Sequence, residues 1–216
     1  MNYRAVAVAV AMLALSGTAA QASSLLINGG FEQGNANIDP FVTDGTGSGE
    51  LTGWSVNSGS IDHIGNYWQP AEGTRSVDMS GNEAGSISQS FATQIGKQYV
   101  VSFSLAGNPD AKDTGVIKTL NSSVVGGSLL FSQDFKFDVT NTDKSNMGWI
   151  NLAYSFIADS TSATLYFESL TQTAYGPALD NVAVSAVPLP AALPLFASGL
   201  AGLGLLGRRR KATIKA

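Results

Sequence analysis

Lys97–Gly107 reads KQYVVSFSLAG. Tyr99, Val101, Phe103 and Leu105 fall on every second position, with Val100, Ser102 and Ser104 between them. Successive side chains of a strand point to opposite faces, so this spacing predicts a strand with one buried face. The same reading extends outward in both directions. WINLAYSFIA (149–158) sets Ile150, Leu152, Tyr154 and Phe156 on one side, and FSQDFKFDV (131–139) sets Phe131, Phe135 and Phe137 opposite Asp134. SLLIN (24–28), LTGWSVN (51–57), GSIDHIG (59–65), RSVDMSG (75–81), AGSISQSFA (84–92), SATLYFESL (162–170) and ALDNVAVSAV (178–187) are further short runs bounded by Gly, Asn, Asp or Ser. Such punctuation marks strands joined by turns. Gln33–Glu50 and Asp110–Ser123 are polar and are expected to be loops. About nine or ten strands with little helical periodicity predict an all-β jelly-roll sandwich over residues 23–186.

The two ends of the chain differ from this body. MNYRAVAVAVAMLALSGTAAQA (1–22) has one early Arg4, a short apolar run and the small-residue pattern Ala20-Gln21-Ala22. That is the pattern of a secretory signal peptide, a substrate for signal peptidase. At the other end, residues 191–206 carry no charge, and Arg208, Arg209, Arg210 and Lys211 follow. The run is near the length of a membrane helix, expected over about 191–207, and its basic flank favours the cytoplasmic side. Between the ends, six basic residues face sixteen acidic ones, a balance of −10. A surface of that sign repels nucleic acid and suits neutral ligands or divalent cations.

The chemistry available is limited. The chain has no Cys and one His, so disulfides, thiol nucleophiles and ordinary zinc sites are excluded. No G-x-S-x-G elbow, H-E-x-x-H helix or phosphate loop occurs. Sixteen acids leave a two-carboxylate glycosidase open. Sugars dock on flat rings with amides and acids beside them. HIGNYWQ (63–69) gathers His63, Asn66, Tyr67 and Trp68, and Asn108 follows a strand, so these five are the expected ligand residues. Trp54 and Trp149 read as core, as most such aromatics are, and core is the alternative for Trp68. Asn28 and Glu32 follow the first run and Asp180 opens the last. With Asp78 they form a candidate set of oxygen ligands for a structural Ca²⁺, or else carboxylates that bond to backbone at strand ends.

Two resemblances sharpen these expectations. Val187-Pro188-Leu189-Pro190-Ala191, the apolar run and Arg208–Arg210 resemble a PEP-CTERM sorting signal of the VPLPA type, residues 187–216. This implies processing by an exosortase-type enzyme and delivery to the envelope or matrix of a Gram-negative bacterium. An ordinary C-terminal anchor is the alternative. NGGFE (28–32), IDHIGNYWQPAEGTRSVDMSG (61–81), SFSLAGNPD (102–110), NMGWI (146–150) and AYGPALDNVAV (174–184) resemble, in order, the choice-of-anchor C family and the related DUF642 proteins. The resemblance implies a galactose-binding-like jelly roll in which first and last strands adjoin. The functional expectation is a non-catalytic carbohydrate- or exopolysaccharide-binding module. A structural matrix protein and a glycoside hydrolase are the alternatives.

Overall fold

The computed structural model describes residues 23–110 and 112–188. The signal-peptide segment and the tail from residue 189 lie outside the described residues. Eleven strands form two antiparallel sheets: β1 (Phe41–Gly45), β2 (Ser55–Ser58), β3 (Ser60–Ile64), β4 (Ser76–Asp78), β5 (Ser86–Ala92), β6 (Gln98–Gly107), β7 (Ile117–Val125), β8 (Leu129–Asp138), β9 (Ile150–Ile157), β10 (Ser162–Ser169) and β11 (Pro177–Ala186). The larger sheet runs β1-β3-β4-β11-β6-β9 and the smaller β2-β5-β10-β7-β8. The only helical piece among the described residues is one 3₁₀ turn, Lys112–Thr114.

Alternation builds the core. Val101, Phe103 and Leu105 of β6 meet Leu120 and Val124 of β7 and Leu165 and Phe167 of β10 between the sheets, all of them buried. Phe103 packs edge-on to Phe135 and Phe167 at 5.3 and 5.2 Å. Buried aromatics of this kind make truncation to Ala cost about 3–5 kcal/mol. Trp54 and Trp68 are buried too, as the core reading of them expected.

Three expectations need correcting. The strand Ile117–Val125 takes up the second half of the segment expected to be a loop and runs two residues past it, and β1 lies within the other expected loop. In β7 the inward positions are Lys118, Leu120, Ser122 and Val124, so a lysine and a serine stand where the pattern needs apolar residues. In β1 the inward Asp44 does the same. Ser24–Asn28, expected as a strand, forms no regular ladder. Leu25 N donates to Val184 O, but the Gln89 amide captures both Ile27 N and Ile27 O, and Asn28 turns to a φ of 54°. The segment still lies beside the last strand, since Val182 N donates to Gly29 O at 2.8 Å.

Candidate functional site

One transverse row of residues defines the outer face of the larger sheet. Thr43 pairs with Asp62, Asp62 with Asp78, Asp78 with Ala178, and Ala178 with Ala106. The adjacent row, Val42, His63, Val77, Leu179 and Leu105, points inward. Above the outer row lies a cleft of about 240 Å³ bordered by Phe41, Thr43, Asp62, Tyr67, Asn82, Asn108 and Tyr175, with Gly81 and Ala174. Strands β1 and β3 supply the floor, and the connections after β3, β4, β6 and β10 supply the rim.

The floor is acidic. Thr43 Oγ1 donates to Asp62 Oδ1 at 2.5 Å, and no protein group among the described residues donates to Oδ2. Burial raises the Asp62 carboxyl above its ordinary value, and the nearby Asp44 adds to this. Asp78 is wholly buried; it accepts from Ser80 N, Gly176 N and Asn108 Nδ2. Burial outweighs those three donors and pushes Asp78 up to about 8. Burying a charge is costly, so the protonated form is favoured there.

The rim is aromatic. Tyr67 is fixed on several sides: its hydroxyl donates to Asp110 Oδ2 at 2.5 Å, Lys144 Nζ stands 3.8 Å over its ring, and Phe41 meets it edge-on at 5.1 Å. Lys144 also pairs with Asp110 at 2.9 Å. Burial would raise the Asp110 carboxyl, but the tyrosine hydroxyl and the ammonium outweigh it and hold it low. Tyr175 and Phe41 remain exposed, at 36% and 37%. Asn82 is exposed, and among the described residues only its backbone N–H is engaged, by Ser60 Oγ.

Of the five expected ligand residues, the cleft brings together Tyr67 and Asn108. His63 does not reach it. It sits in the inward row, fully buried, with Nε2 on Phe31 O at 2.7 Å and Nδ1 unpartnered. Burial lowers its pKa. Trp68 is buried, with Nε1 donating to Ser76 Oγ, and Asn66 is exposed but outside the cleft lining. Phe41, Thr43, Asp62, Asn82 and Tyr175 complete the lining. For Phe41 and Thr43 the signal in the sequence was an alternating run, Phe41–Gly45, masked by its inward Asp44.

The family described as "Protein of unknown function (DUF642)" matches residues 24–185, nearly the whole described body. The chain belongs to the DUF642 family. Halomucin of Haloquadratum walsbyi is 34% identical to this DUF642 chain over 210 residues, 87% of this chain and 2% of halomucin. An Arabidopsis thaliana protein, DUF642 L-galactono-1,4-lactone-responsive gene 2, is 25% identical over 77% of this chain and 47% of its own length. The chain thus spans less than half of either relative. Among solved structures, the CBM22-1–CBM22-2 tandem domain of Paenibacillus barcinonensis Xyn10C shares the fold. Its TM-score is 0.50 at 18% identity, covering 81% of this chain and 50% of that one.

The calcium candidates of this DUF642 domain meet a different set of partners. Glu32 accepts from Thr74 N, Thr74 Oγ1 and Arg75 N. Partial burial alone would raise it, but these donors hold it low. Asp180 accepts from Ala71 N, Glu72 N and Asn181 N, and burial takes it to about 7. The two acids therefore pin opposite ends of the loop Ala71–Arg75. Asn28 spends its amide on Gln33 and Thr52 O, and Asp78 is buried, held by Ser80 N, Gly176 N and Asn108 Nδ2. Among the described residues no three His, Cys, Asp or Glu side chains gather at metal-ligand spacing. Carboxylates committed to N–H donors and separated in this way do not fit a cation that wants roughly six to eight converging oxygens.

Proposed function

We propose that this domain is an exported, non-catalytic carbohydrate-binding module whose ligand lies in the cleft above Asp62. The observation that carries the reading is the cleft's composition. Exposed rings of Tyr175 and Phe41 stand over a floor offering a free carboxylate oxygen at Asp62 and an uncommitted amide at Asn82. Apolar sugar faces stack on rings, while acids and amides read hydroxyls. Among the described residues no Lys or Arg lines the cleft, so a neutral glycan fits and a polyuronate is repelled. The fold shared with a tandem domain named for carbohydrate-binding modules supports the reading. Residues 1–22 would export the chain, and residues 187–216 would hold it at the membrane and offer it to an exosortase-type enzyme.

The test is binding of the protein to neutral and uronic-acid polysaccharides, with released reducing ends assayed in parallel. Retention on neutral glycans, lost in Tyr175→Ala and Asp62→Asn, supports the proposal. Turnover of any glycan, or binding indifferent to both substitutions, overturns it.

A further inference from the structure

The cleft lies at one end of the sandwich; the opposite end has a different character. Three of the most exposed apolar residues gather there: Ile95 at 66%, Leu129 at 64% and Ile157 at 62%. Ile95 is in the turn between β5 and β6, Leu129 opens β8, and Ile157 closes β9. Their turns are joined. Gly96 N donates to Ala158 O, Ala158 N to Lys97 O, and Gly127 N to Asp159 Oδ1. Val187, also exposed, is bonded to the same strand through Val187 N to Gln98 O at 2.9 Å.

This end is also poor in charge. In a body of balance −10, its turns (93–97, 126–128 and 158–161) carry one Lys and one Asp, Lys97 and Asp159. The Asp159 carboxylate is engaged by Gly127 N and Ser128 Oγ. The described chain leaves the domain at this end, at Val187-Pro188, and its sequence continues through the uncharged residues 191–206 to Arg208–Lys211. Apolar side chains on turn tips, with the one acidic neighbour, Asp159, turned onto Gly127 N and Ser128 Oγ, can enter the interfacial layer of a bilayer.

We infer that this end of the sandwich rests on a lipid bilayer, with Ile95, Leu129 and Ile157 dipping into its surface and the cleft facing away. The inference rests on reading residues 191–211 as a membrane anchor and is independent of whether the cleft binds glycan. The orientation points the cleft away from the membrane, toward extended polymers outside.

The chain has no Cys, so single thiols report cleanly. The full chain, carrying Ile95→Cys or Gln172→Cys labelled with an environment-sensitive dye, is reconstituted into phosphatidylcholine vesicles doped with nitroxide lipid. The expected result is several-fold quenching at position 95 and none at 172, an exposed position in the turn before β11. A companion Leu129→Cys probe loses most of its quenching when Ile95→Asp is added. Equal quenching at 95 and 172 overturns the inference, as does a Leu129 probe indifferent to Ile95→Asp. Quenching that needs a second labelled copy and no nitroxide assigns this end to self-association and overturns it too. Flotation with the vesicles is read separately; a chain that does not float removes the anchor, and the inference falls with it. Glycan retention by the same protein is unaffected by any of these results.

Discussion

Tyr67 and Tyr175 border the same cleft, yet their rings have different amounts left to offer. Tyr67 has a cation over its ring, Phe41 against it and its hydroxyl on Asp110, so it acts as wall. Tyr175 has an exposed ring and no side-chain hydrogen bond among the described residues. Tyr175→Ala is therefore expected to weaken glycan binding about tenfold, the value of one stacking contact of roughly 1.4 kcal/mol. Tyr67→Phe keeps the ring and its packing and is expected to change affinity less, by about threefold at most on the same scale. Titration calorimetry on the two variants orders them, and a larger loss in Tyr67→Phe would reverse the assignment. His63 shows the same principle in another form: its identity suggested chemistry, but its strand parity turned it inward.

Parity also explains how much of the fold was legible at the level of elements. Strands β6, β9, β10 and β11 were readable because apolar residues fill most of their inward positions, and β5 because Ile87 and Phe91 flank its one inward polar residue, Gln89. Strand β7 was missed because Lys118 and Ser122 are inward, and β1 because Asp44 is. Part of the cleft was hidden for that reason, since Phe41 and Thr43 come from β1. The paired acids Asp62 and Asp78 were hidden differently: pairing across strands is set by register, which alternation within one strand does not report. Lys118 is 1% exposed, and burial lowers its pKa. Lys118→Met conserves length and removes a buried charge, so the urea midpoint is expected to rise, by about 1 kcal/mol or more in stability. A fall would show that the ammonium is structurally required. The amino-terminal segment gives a complementary case. A Cβ at Gly29 would stand 1.8 Å from Val182 O, so Gly29→Ala must push the segment off β11. A loss of roughly 2 kcal/mol is expected for such a clash, with the far cleft unchanged. Denaturant unfolding and glycan binding on one preparation test both halves.

For the whole molecule, the buried acids decide how stability depends on pH. Carboxylates committed to backbone amides leave little for a cation, so millimolar calcium or chelator is expected to leave Tm unchanged. Protons are the ions that matter. Asp78 at about 8 and Asp180 at about 7 sit far above the 3.8 of an exposed aspartate, and Asp44 and Asp62 are raised as well. A carboxyl raised in the fold stabilises it fully below the unfolded pKa, and that stability is lost as pH rises through the folded pKa. The window therefore runs from about pH 4 to pH 8, with stability falling across it. His63 and Lys118, lowered by burial, work the opposite way, each below its own ordinary pKa, two groups against four. Glu32 and Asp110 are held low, so their contribution disappears only when pH drops below the ordinary carboxylate range. Together these place the maximum in mildly acid solution. Tm is expected to be several degrees higher near pH 5 than near pH 8. In Asp180→Asn the slope between those pH values should shrink, whatever the variant's own Tm, because one titrating group has been removed. A Tm that rises from pH 5 to pH 8, or a slope unchanged in Asp180→Asn, would mean that the amide donors around Asp78 and Asp180 outweigh their burial and keep both acids charged at neutral pH.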